Sequence, residues 1–171
     1  MLCLGNVFAQ KYMTRTGKIA FHAGTSVEDI DAISNEAASV IDSKKGDFIF
    51  QVAIKSFKFR RALMEEHFNE NYLESDKIPR ADYKGTITDI SAVNFDKDGT
   101  YKVNTAGKLT IHGVTKDVTI PATITVKGGK AESAAKFIVK CADYNIQIPK
   151  LVENKIAKEV EVTVNTILDK K

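Results

Sequence analysis

Three histidines, two cysteines and one adjacent acid–base pair are the residues of this 171-residue chain whose chemistry could go beyond packing. His22, His67 and His112 would form a metal site only if folding gathered them. No two of them stand at the short spacing that places a pair of ligands on one helix or hairpin. Asp76 and Lys77 could act as acid and base; where a helical pattern gives way to a strand pattern, an ion pair is the expected role. Cys141 alternates with Phe137 and Val139, which predicts an inward thiol that behaves as a small hydrophobe. A reactive thiol would want a basic partner to lower its pKa, and none is evident from spacing. The chain carries no Gly-x-Ser-x-Gly elbow, no His-Glu-x-x-His pair and no glycine-rich phosphate loop. Enzyme chemistry needs a nucleophile, base or metal within mutual reach, so catalysis is not expected.

The elements that must position these residues are strands. In 107–118 apolar and polar residues alternate up to His112, Gly113 breaks the run, and alternation resumes. This predicts two strands meeting at a tight corner, each with one apolar face. His112 precedes the corner on the outward parity, where it would stabilise the turn. Gly107 reads as a bend that lets a sheet curl. The same alternation groups Ile19, Phe21 and Ala23; Phe48, Phe50, Val52 and Ile54; Ala81, Tyr83, Gly85 and Ile87; and Val160, Val162, Val164 and Leu168. Phe57 and Phe59 fall on the opposite parity from Phe48, which predicts a bulge or break near Ser56. Segment 26–42 reads as a long, poorly patterned strand: Ile30, Ala32, Ser34, Ala38 and Val40 keep period two, Ile33 and Ile41 spoil it, and Ala37 and Ala38 would equally suit a helix. Segment 60–75 changes period: Leu63, Met64, His67, Phe68, Asn71 and Tyr72 form one helical stripe, with Glu65, Glu66 and Glu70 facing water. Pro79 bounds it.

Turn signals at 44–47, 96–99 and 128–129 separate about eight antiparallel strands around this one inserted helix. Closure into an eight-stranded antiparallel β-barrel removes exposed edges; a two-sheet sandwich is the alternative. The lumen of such a barrel is filled by side chains or holds one small ligand. His67 on the helical stripe would then bond a backbone carbonyl at the barrel rim or meet a ligand head group.

Composition narrows the classes further. The chain is 43% hydrophobic and 27% charged, an ordinary globular balance. Its 25 basic and 22 acidic residues are interspersed, whereas a nucleic-acid partner would want a concentrated basic face. Residues 1–9 are apolar and uncharged and resemble the end of a leader, with cleavage after Ala9 and Gln10 as the mature first residue. Residues 10–171 then form one domain. No run of about 18 apolar residues predicts a membrane span.

Met64-Glu65-Glu66-His67-Phe68, Asp76-Lys77-Ile78-Pro79-Arg80-Ala81-Asp82-Tyr83 and Leu109-Thr110-Ile111-His112-Gly113-Val114-Thr115-Lys116 together resemble the YceI-like family, over about 17–168. That family usually carries an aromatic where this chain has Ile78, and often a phenylalanine at the position of Tyr83. The resemblance implies a periplasmic or secreted protein with an all-β, lipocalin-like barrel. It also implies a long apolar tunnel for a polyisoprenoid or related long-chain lipid, bound without catalysis for storage or transport in the cell envelope. An isoprenoid quinone or other prenyl lipid would be a ligand rather than a cofactor, and the protein would be a monomer or homodimer. The expected wall residues are Phe48, Phe50, Val52, Ile54, Ile87, Leu109, Ile111, Val118, Ile120, Phe137, Val139 and Val162, with His67 near the ligand head. A filled barrel acting as an interaction module is the competing expectation; a lipid-modifying enzyme using His67 is a weaker one.

Overall fold

The computed structural model describes residues 10–171, so the expected leader and Cys3 lie outside the described residues. The strands are β1 Lys11–Gly24, β2 Asp31–Asp42, β3 Asp47–Ala53, β4 Lys58–Phe59, β5 Arg80–Ile87, β6 Gly99–Ile111, β7 Val114–Lys127, β8 Lys130–Lys140 and β9 Ile156–Lys170. Their order is β1-β9-β8-β7-β6-β5-β3-β2, and β2 pairs back onto β1 to close an eight-stranded antiparallel barrel. β4 is an extra two-residue strand on β2, reached through the turn Ile54–Ser56 that ends β3. This is the break expected near Ser56.

The irregular pattern of 26–42 has a physical cause. Register between β1 and β2 slips on both sides of Gly17. Ile30, Ala32 and Ser34 are buried, and after the slip Ala37, Ser39 and Ile41 are buried instead of Ala38 and Val40. A bulge exchanges the faces of a strand because side chains alternate with period two. Ser34 stabilises the kink: its Oγ accepts the Glu36 N–H at 3.2 Å and lies 2.6 Å from Ser56 Oγ.

The helix is shorter than the stripe predicts. α1 spans Ala62–His67, and Phe68–Tyr72 continues it as a wider π turn. The Asn69 amide donates to the Glu65 carbonyl at 2.8 Å, a local bond that competes with the regular helical ladder. Glu65 is half-buried rather than facing water, bonded to Lys58 and to the Phe59 N–H.

Two features shape the barrel wall. Gly85 of β5 sits opposite Gly107 of β6, and a Cβ on either would run into the backbone carbonyl of Ala106 or Lys84. The bend expected at Gly107 thus needs a glycine on each strand. β7 pairs with β8 only from Ala122 to Lys127, whereas it pairs with β6 from Val114 to Val126. The β7–β8 ladder stops one residue short of Pro121, which has no N–H to donate.

One end of the barrel is plugged by Tyr12, Ile41, Phe48, Val93, Phe95 and Leu168. The loops at the other end are those between β1 and β2, β3 and β5, β6 and β7, and β8 and β9.

Candidate functional site

Inward positions of every barrel strand surround a cavity of about 550 Å³. Alternation explains its apolar wall: a strand with one face inward delivers every second residue to the lumen. Phe48, Phe50 and Val52 of β3, Ile87 of β5, Leu109 and Ile111 of β6, Ile120 of β7, Phe137 and Val139 of β8 and Val162 of β9 line it, together with Ile54. Val118 does not. It is half-buried and packs on the core where β7 has left β8, away from the cavity. Small side chains at Ala23, Ala81, Ala122 and Ala135 line the same space and leave it volume.

The cavity opens among the loops opposite the plug. Leu63, Met64, His67, Phe68 and Tyr72 from the helical segment lie on its wall, with Ile146, Ile148 and Val152 from the β8–β9 loop. Asn71, placed on the same stripe by spacing, is exposed and off the wall, because the π turn rotates it away. Phe68 carries the docking of this segment. Its ring lies 5.4 Å from Phe21, 5.8 Å from Phe57 and 5.0 Å from Phe59, so the aromatics displaced by the Ile54–Ser56 turn become the helix's seat. Sequence spacing shows only their wrong parity.

His67 is exposed at the mouth and makes no hydrogen bond among the described residues, contrary to the expected bond to a rim carbonyl. The helix bears α-helical backbone there, and its carbonyls are engaged within the segment. Asp76 and Lys77 do not pair with each other: Asp76 bonds Lys55 and Lys77 bonds Glu74 at 3.1 Å. Successive residues point apart, and each finds a partner on its own side. The Lys55 ammonium holds the Asp76 carboxyl below its usual range. Glu65 is lowered by Lys58 and by the Phe59 N–H. Arg61 pairs with Glu28, tying the helix to the β1–β2 loop.

His112 is more than a turn residue on an outward face. Its side chain is only 12% exposed; Nδ1 donates to the Tyr144 carbonyl at 3.1 Å, and Nε2 meets Glu74 Oε2 at 2.8 Å. His112 and Glu74 both have left-handed backbone, with φ of 51° and 49°, as does Asn145 beside Tyr144, with φ of 54°. These are all the non-glycine residues with positive φ among the described residues. Such backbone is costly and persists where surrounding contacts over-determine it. The node joins the helix exit, the β6–β7 corner and the β8–β9 loop, three of the segments that frame the mouth.

The cavity also contains polar groups that alternation places inward. The Tyr83 hydroxyl lies 2.9 Å from Thr105 Oγ1, which donates to the Ile120 carbonyl at 2.7 Å. Burial pushes the Tyr83 phenol up. Cys141 is buried, and burial likewise pushes its thiol up. His22 bonds Asp31 at 2.7 Å on the exposed surface. Among the described residues no group of three His, Cys, Asp or Glu could hold a metal ion. No helix among them is long and apolar enough to cross a membrane.

The profile of the YceI-like domain matches residues 8–168. A polyisoprenoid binding domain from Saccharophagus degradans, implicated in plant cell wall breakdown, superposes with a TM-score of 0.80 at 12% identity, over 94% of this chain and 98% of that one. BcnA of Burkholderia cenocepacia gives 0.71 at 15% identity, over 88% and 95%. The YceI protein of Campylobacter jejuni gives 0.57 at 16% identity, over 98% and 86%. Comparison with curated proteins finds no match. At these identities the structural likeness is one of fold.

Proposed function

The chain belongs to the YceI-like family, and on that premise we propose that it binds a polyisoprenoid or related long-chain lipid in its barrel, as a carrier or store in the cell envelope. The observation that carries this reading is the cavity of about 550 Å³, plugged at one end and open beside the helix. Its volume falls within the usual range of ligand sites, which are mostly apolar with a few placed polar groups. A packed barrel acting only through its outer surface would not keep such a space.

The mechanism is desolvation. Each CH₂ moved from water into an apolar lumen is worth about 0.8 kcal/mol, so a tail of several prenyl units needs few directed bonds. Phe48, Phe50, Leu109, Ile120, Phe137 and Val162 would contact the tail, and the loops around His67 would govern entry. The protein does no bond chemistry in this scheme.

Native mass spectrometry with lipid extraction tests it. A stoichiometric long-chain lipid, or uptake of a prenyl lipid by delipidated protein, is the expected result. Protein that stays empty and takes up neither isoprenoid nor fatty lipids would overturn the proposal. Export belongs to the same reading: sequencing of the mature N-terminus should begin near Gln10, and an intact Met1 would contradict it.

A further inference from the structure

Ser39 stands on the inner part of the tunnel wall. It is 5% exposed and lines the cavity; its hydroxyl takes part in no side-chain hydrogen bond among the described residues and is open to the cavity rather than sealed in the wall. A hydroxyl that faces an apolar cavity gains a bond when something held there accepts its proton, and a ligand that displaces its solvation without accepting that proton binds less well. Ser39 lies eight positions along β2 from Asp31, where the strand leaves the mouth, roughly 25 Å of extended chain. It is two residues from Ile41 of the plug. Across the sheet it registers with Phe50, and Phe50 with Tyr83. The Thr105 hydroxyl spends its proton on Ile120, so Tyr83 must donate to Thr105 and can itself only accept. Ser39 is therefore a free donor in this inner row.

Charge limits what can bind there. Glu28, Arg61 and Lys155 line the cavity from the mouth loops; Asp82 also lines it, near the mouth end of β5, and its carboxylate pairs with Lys84 at 3.7 Å. Among the described residues no cation lines the inner wall, so a phosphate or carboxylate would be buried uncompensated.

We propose that Ser39 is a specificity site at the inner end of the tunnel, taking the neutral acceptor oxygen of an isoprenoid that enters polar end first. A ketone, ester or ether oxygen fits; a charged head does not. The inference rests on the lipid-binding reading and adds to it the ligand's polarity and direction.

Three probes test it on delipidated protein: farnesylacetone, a neutral ketone; squalene, a hydrocarbon; and farnesyl phosphate, an anion. Wild-type protein should favour farnesylacetone over farnesyl phosphate. Ser39→Ala should weaken farnesylacetone roughly three- to tenfold and leave squalene unchanged, since only one neutral hydrogen bond is lost. Ser39→Thr, which keeps a hydroxyl, should retain more ketone affinity than Ser39→Ala. The alanine variant loses no hydrogen bond within the protein, and its thermal midpoint should equal or exceed that of wild type. A preference for farnesyl phosphate, or an equal effect of Ser39→Ala on ketone and hydrocarbon, would overturn the site while leaving a lipid carrier. Failure of wild-type protein to bind any isoprenoid would overturn the carrier reading itself, and the site with it.

Discussion

His112 shows how much one side chain can be asked to hold. A carbonyl can only accept, so Nδ1 must donate to Tyr144; an ionised Glu74 asks Nε2 to donate as well. Glu74 is held below its ordinary 4.5, first by the bond from His112 and then by Lys77. A carboxylate lowered in the fold adds stability above its unfolded pKa and loses that contribution as pH falls through the folded value. Glu74→Gln should therefore flatten the fall of the thermal midpoint in the range below pH 4.5, measured by a pH series of melts. An unchanged slope would show that the bond has no thermodynamic weight. A second prediction at this scale concerns Gly107. Alanine there collides with the Lys84 carbonyl, which belongs to the paired backbone and cannot swing aside. Gly107→Ala should cost about 3 kcal/mol in urea unfolding, at the upper end of ordinary overpacking; a neutral result would mean the two strands can part locally without loss.

Among the elements, the short helix depends most on others. Six residues of α-helix are too few to be stable alone. Its N-cap, Arg61, makes no side-chain cap, so packing of Phe68 among Phe21, Phe57 and Phe59 must fix it. Phe68→Ala should cost about 2 kcal/mol, less than a fully buried Phe because the ring is half-buried. Hydrogen exchange should show faster opening across 62–72 while the barrel strands keep their protection. Uniform loosening of the barrel would instead mean that the segment is part of the core. The limits of this element were not legible in sequence: the stripe extends through Tyr72, but the competing Asn69 bond turns α-helix into π turn. Phe57 and Phe59 were legible as a break in alternation, yet not as the seat of Phe68. Pro121 was a readable signal of a ladder's end, since proline in a strand marks an edge or an interruption.

At the scale of the whole molecule, closure turns a set of half-apolar strands into a container. Ala122 and Ala135 face each other across β7 and β8 and line the cavity. Ala135→Phe should fill part of that space and reduce lipid uptake at least tenfold, with a thermal midpoint close to that of wild type because the ring enters existing volume. A large loss of stability without loss of uptake would mean that Ala135 is close-packed and off the ligand path. The sequence by itself determined the strands, their inward faces, the corner at His112 and Gly113 and the family, because alternation and turn residues act over a few positions. That is why most wall positions could be named one by one, from Phe48 to Val162. Only the tertiary structure decided that Val118 misses the cavity, that the parity of β2 changes before Ala37, and that His112, Glu74 and Tyr144 meet. It also decided that the lumen is open and that Ser39 looks into it. Each of these depends on register, splay or volume between segments far apart in the chain, and such quantities exist only once the barrel has closed.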